Sequence, residues 1–170
     1  MTKWPAIVAG LLLMTSGAAF AQKVNTDSDA RANFAQYRTY TWTAGTPSSN
    51  PLAQDRIEEA VNGQLAAKGL TRVTENPDVF VATHLTTQNQ KELVVDGFGG
   101  GPFWGGGYGT ARVKTYTQGT LVVDLYDGHT KQLVWRGTGT DTASDKADKN
   151  NAMIQKAVAK MFAHYPPQPR

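Results

Sequence analysis

The sequence predicts an α+β domain: a single antiparallel or mixed β-sheet packed with two helices, with a long glycine-rich loop between the middle strands. Three observations predict it. Two segments, one after Pro51 and one before the C-terminal prolines, repeat apolar residues at helical spacing. Around them, threonine, valine and aromatic residues alternate in runs, the pattern of strands. Residues 97–109, GFGGGPFWGGGYG, hold eight glycines and four aromatics and suit neither element.

The chain opens with MTKWPAIVAGLLLMTSGAAFA. One cation, an apolar run too short for a bilayer and an Ala-Phe-Ala end give the layout of a secretory signal peptide over residues 1–21. The remainder, 22–170, is the length of one domain with its own core. KVNTDSD (23–29) reads as a short polar strand, and the alternation in YRTYTWT predicts a strand ending near Trp42. Asn50 and Pro51 suit the start of a helix whose stripe is Ile57, Val61 and Leu65. Gly63 weakens that helix by about 1 kcal/mol relative to alanine. Gly69 ends it, and Leu70 is expected to fold back on its last turn.

TRVTENPD (71–78) predicts a short strand and a turn, and VFVATHLTTQ (79–88) a strand that KELVVD can prolong. ARVKTYTQGTLVVDLYD (111–127) reads as one or two strands, with Gly119 at a bend or bulge. DGHT (127–130) is a turn and KQLVWRGTGTDTA the return strand. Pairing Asp127 with Thr130 sets Asp124 opposite Leu133, with Lys131 diagonally across as its ion-pair partner. Apolar residues on both faces predict a central hairpin covered on both sides. The last helix runs from about Asp145, capped by Ser144 or Asp145, to His164, with Ile154, Val158, Met161 and Phe162 inward.

Composition excludes several function classes. The formal net charge is +3 without any Lys/Arg cluster, so nucleic acid is not a predicted partner. There is no cysteine, hence no disulfide, thiolate metal site, cysteine nucleophile or lipidation cysteine. The glycine segment is not a phosphate cradle: no Lys-Ser/Thr follows Gly109, Pro102 replaces the third glycine of a dinucleotide fingerprint, and no helix follows. It is either a tolerated connection or a binding loop, with Phe98, Phe103, Trp104 and Tyr108 the candidate partner-binding residues. His84, His129 and His164 show no metal-ligand spacing, and no serine has a nucleophile-elbow setting. No cofactor or metal is predicted. Asp124 is the acid most closely flanked by apolar strand residues. It is either one half of an ion pair or, with a histidine brought near by folding, the centre of a hydrolase or metal-dependent enzyme.

Several motifs together resemble the bacterial family known as domain of unknown function 4136. They are Y-x-T-Y-x-W (37–42), L-x-x-K-G-L (65–70) followed by Pro77-Asp78, and G-T-L-x-V-D (119–124) followed by L-V-W-R-G (133–137). The resemblance implies an exported, envelope-associated α+β protein with no established catalytic residues. Many members look like lipoproteins, and the absence of a cysteine near Ala21 departs from that pattern. The expected function is a non-enzymatic binding or assembly module in the periplasm or cell envelope. It would meet an envelope protein or cell-wall component, or touch a membrane peripherally, through sheet edges and the aromatic loop. The alternatives are the enzyme on Asp124 and a structural or stress-related protein without a small ligand.

Overall fold

The computed structural model describes residues 22–97 and 109–167. The expected signal peptide (1–21) and the segment between the middle strands, with Phe98, Phe103, Trp104 and Tyr108, lie outside the described residues. Six strands form one mixed sheet in the order β1-β6-β5-β4-β2-β3. The strands are β1 (Lys23–Ser28), β2 (Thr39–Trp42), β3 (Thr71–Arg72), β4 (Val79–Gly97), β5 (Gly109–Asp127) and β6 (Leu133–Thr142). A 3-10 turn (Phe34–Gln36) precedes β2, and two helices follow the sequence expectation, α1 (Pro51–Ala67) and α2 (Ala147–Ala163). Strand β2 runs parallel to β3 and β4, because α1 carries the chain back across the sheet, and the other pairings are antiparallel.

The core lies between one sheet face and the two helices. Val79, Val81, Leu121, Val123, Leu125 and Trp135 alternate on that face and meet Ile57, Val61 and Leu65 of α1 and Val158, Met161 and Phe162 of α2. Trp135, Phe162 and Tyr165 form an aromatic cluster, with Trp135 and Phe162 centroids 5.0 Å apart. Glycine is required at 137 on β6 beneath α2, where a Cβ would stand 2.7 Å from the Trp135 ring and 2.9 Å from Met161 Cβ, while one on Gly139 would displace the flexible Met161 Cε at 2.7 Å. Helix α1 starts as expected, with the Asn50 side chain accepting from Leu52 N–H at 3.0 Å. It ends in a Schellman motif: Gly69 adopts φ 85, its N–H donates to Ala66, and Leu70 N–H donates to Leu65. The start of α2 differs from expectation. Its cap residue is Lys146, without a side-chain bond, and Asn150 reaches back to take Ser144 N–H at 2.7 Å and give to Ser144 C=O at 2.6 Å.

The β5–β6 hairpin also departs from its predicted register. Asp124 stands opposite Arg136 rather than Leu133, and Leu125 opposite Trp135. The connection is longer than two residues: Lys131, at φ 61, donates its N–H to Asp127 C=O, and Asp127 N–H donates to Gln132 C=O. A bulge between Leu125 and Tyr126 adds the remaining shift. Gly128 is glycine for a different reason than turn φ. A Cβ there would lie 2.0 Å from Pro77 C=O, and its N–H donates to Asp78 C=O at 2.7 Å. The predicted two-sided cover is likewise corrected. Helices pack on one face, while Asp124 on the other is enclosed by neighbouring strand side chains.

Candidate functional site

Asp124 projects from near the end of β5 on the face away from the helices and is fully buried. Across the strand pair, the Arg136 guanidinium holds it bidentately, Nε and Nη2 each at 2.6 Å. On the same strand the Tyr126 hydroxyl donates to Oδ2 at 3.2 Å. From β4, His84 brings Nε2 within 3.6 Å of Oδ2. Thr46 lies against that ring: its N–H is shared between Thr83 C=O at 3.0 Å and Nδ1 at 3.1 Å, and its hydroxyl oxygen lies 3.0 Å from the same nitrogen. The Arg136 side chain is 46% exposed and that of His84 32%, so the cluster roofs a buried anion with half-solvated cationic and aromatic groups. Burial, then the Asp124 charge, raises the Tyr126 hydroxyl above the ordinary tyrosine range, and the bond to Asp124 raises the Arg136 guanidinium.

The arrangement brings Asp124 and His84 together and leaves Lys131 elsewhere. Lys131 instead places its ammonium 4.0 Å above the Phe80 ring. His129 sits in the turn after β5, and its backbone N–H is held by Asp127 Oδ1 at 2.9 Å. His164 caps the end of α2, where its N–H donates to Met161 C=O. Among the described residues no three His, Asp or Glu side chains gather as metal ligands would. Arg136 and Tyr126 were missed by sequence reasoning. Arg136 was within reach of it: a four-residue connection plus one bulged residue would have placed it opposite Asp124.

The motifs carrying the family resemblance do structural work. Tyr37 donates to Asp127 Oδ2 at 2.9 Å, while Tyr40 and the Trp42 indole both donate to Asn62 Oδ1 of α1, at 2.9 and 3.0 Å. Asp78 Oδ2 accepts from the N–H groups of Arg38 and Thr39, and Thr39 Oγ1 takes Asp78 N–H in return. Asp127 also accepts from Thr130 N–H, and that bond first, with the Tyr37 and His129 bonds, overcomes burial to hold its carboxyl down at about 2.

The second candidate is a projection. Strands β4 and β5 continue as a pair well past the last residues of β6, from the Gln118–Thr142 pairing to the Gly97–Gly109 pairing. This two-stranded arm extends about 30 Å at ordinary strand rise. Leu93 and Val113 stand directly opposite each other on it, 64% and 62% exposed. The segment with Phe98, Phe103, Trp104 and Tyr108 joins its two strands in sequence.

Comparison with known proteins bears on the fold and the family. No curated protein matches the chain. Among solved structures, a PDZ domain protein from Parabacteroides distasonis is 13% identical with a TM-score of 0.60, over 85% of this chain and 35% of that one. The chain thus spans about a third of that protein, and the likeness is one of fold. Looser likenesses are a PelC dodecamer from Paraburkholderia phytofirmans and a minor lipoprotein from Acinetobacter baumannii. The first is 15% identical, TM-score 0.49, over 84% of this chain and 99% of that one. The second is 13% identical, TM-score 0.41, over 75% and 91%. The family model described as Domain of unknown function (DUF4136) matches residues 24–167, nearly all of the described chain and every motif above, and the protein belongs to that family.

Proposed function

We propose that the protein is an exported, non-enzymatic binding or assembly module of the cell envelope, whose partner docks on the β4–β5 arm. The carrying observation is the opposed, exposed pair Leu93 and Val113 on a ribbon that, among the described residues, no third strand supports. A two-stranded ribbon alone is marginal in water, and its apolar side chains gain stability only when covered. The proposed occupant of the arm is an envelope protein or cell-wall component, or a peripheral membrane contact, with Phe98, Phe103, Trp104 and Tyr108 following the arm in sequence. The signal-peptide layout of residues 1–21 supports export. Among the described residues no helix is long and apolar enough to cross a membrane.

The competing reading, a hydrolase or metal-dependent enzyme on Asp124 and a histidine, finds its pair 3.6 Å apart. A general base needs a lone pair to receive a proton. Here Nδ1 of His84 is engaged by Thr46, and Asp124 is enclosed with Arg136 and Tyr126 on its oxygens. These commitments favour the ion-pair role.

The test is a photo-crosslinking residue at Val113, at Trp104 and, as control, at Leu52 of α1, which is equally exposed at 62%. In living cells, discrete adducts at Val113 and Trp104 but not at Leu52 are expected. Equal labelling at all three, or none at the arm, would overturn the proposal.

A further inference from the structure

We infer that β1 is a self-complementary sheet edge at which a second copy of this chain adds antiparallel, fusing two sheets into one. The inference goes beyond the arm's role and requires neither the arm nor an envelope partner. Among the described residues, strand β1 is the outermost strand and pairs with β6 alone. Asp29 N–H donates to Val134 C=O at 2.9 Å, and the unbroken register from there makes 27, 25 and 23 the residues bonded inward. Val24, Thr26 and Ser28 therefore point their N–H and C=O groups outward. Ser28 N–H is already taken by Asp27 Oδ1 at 2.8 Å. The groups on offer are those of Val24 and Thr26.

A two-fold axis through Asn25, perpendicular to the sheet, uses them all. It sets Val24 of each copy opposite Thr26 of the other, so that each pair exchanges two N–H to C=O bonds. The same axis sets Lys23 opposite Asp27 of the second copy, twice, as non-hydrogen-bonded pairs in which side chains approach most closely. Lys23, Asn25 and Asp27 are all exposed, on the face away from the helices. Val24 lies on the other face, near Gly139 beneath α2, so the helix layers of the two copies fall on one side. Charged residues on an edge strand commonly repel further strands. Here the spacing inverts that effect, because opposite charges stand at equal distances from Asn25. A groove of about 870 Å³ runs between Thr26, Asp27 and Ser28 and the residues after α2, His164 and Pro166.

The experiment is sedimentation velocity on the protein recovered from expressing cells, across micromolar concentrations. A monomer–dimer equilibrium is expected. Lys23→Asp and Asp27→Lys each turn two attractive pairs repulsive and should weaken the dimer about tenfold or more. The double variant K23D/D27K restores opposite charges and should recover it, which loss of folding could not do. The chain lacks cysteine, so register can be read directly. Asn25→Cys should form a disulfide dimer, and Lys23→Cys alone should not, while a mixture of Lys23→Cys with Asp27→Cys should give the cross-linked heterodimer. A wild-type monomer at high micromolar concentration, failure of the double variant to recover, or equal cross-linking of Asn25→Cys and Lys23→Cys would each overturn the inference.

Discussion

Asp127 holds three connections at once. Its Oδ1 takes the N–H groups of His129 and Thr130 and so shapes the turn, and its Oδ2 takes the Tyr37 hydroxyl and so ties β5 to the segment before β2. The carboxyl is held down at about 2, against about 3.9 in an unfolded chain. A depressed carboxylate stabilises the fold above the unfolded value, and that contribution, about 2 kcal/mol, is lost as pH falls from about 4 through about 2. Tyr37→Phe removes one donor, should raise the Asp127 value, and should cost roughly 1 kcal/mol at neutral pH, less at pH 2. Carbon-13 titration of the Asp127 carboxyl with urea unfolding at both pH values checks this. A wild-type midpoint near 4 would refute it. Residue roles were legible in the sequence where they follow from local spacing, as with Asn50 and Gly69. The partner of Asp124 was not, because one bulged residue beside Leu125 and a turn longer by two change which residue faces it.

Helix α1 offers a paired test of what a glycine does within an element. Gly63 is exposed, and an added Cβ would meet nothing within 4 Å, so its cost is the backbone freedom lost on folding. Gly63→Ala should stabilise the protein by about 1 kcal/mol, a rise of about 2–4 °C in Tm. Gly69 also has open space, but its φ of 85 strains any side chain. Gly69→Ala should destabilise by about 1 kcal/mol. Thermal unfolding of both variants decides it, and a shift of the same sign in both would refute the account. The beginning of α2 was less legible than that of α1. Its capping interaction comes from Asn150, inside the helix and six residues after Ser144, a distance that no N-cap rule scans.

At the scale of the molecule, alternation and periodicity made the inventory of strands and helices legible, but not their order in the sheet. The mostly polar residues of β1 give no sign that its partner is β6, more than a hundred residues later, where Val24 lies beside Gly139. One global property follows from the aromatic packing. Burial raises the hydroxyls of Tyr37, Tyr40, Tyr126 and Tyr165 above the usual range, Tyr165 to about 12. The unfolded chain ionises its tyrosines near 10, so this stability is complete below that pH and falls as pH rises through about 12. Tyrosinate absorbance should therefore rise in part only as the circular dichroism of the fold collapses. Full ionisation of an intact fold near pH 10 would contradict it.

The register also decides which end of the molecule the chain enters. Lys23 stands level with Thr140, Thr120 and Thr86, where β4 and β5 leave the sheet, whereas Ser28 stands level with Trp135 and Val81 at the far end. Tyr165, after α2, packs against Phe34 and Trp135 at that far end. A bead or sensor surface that grips the chain before Lys23 would turn the arm toward the support and screen it. Gripping it after Pro167 would leave the arm facing solution, so the choice of tag end alone should separate a capture experiment that finds an arm partner from one that misses it.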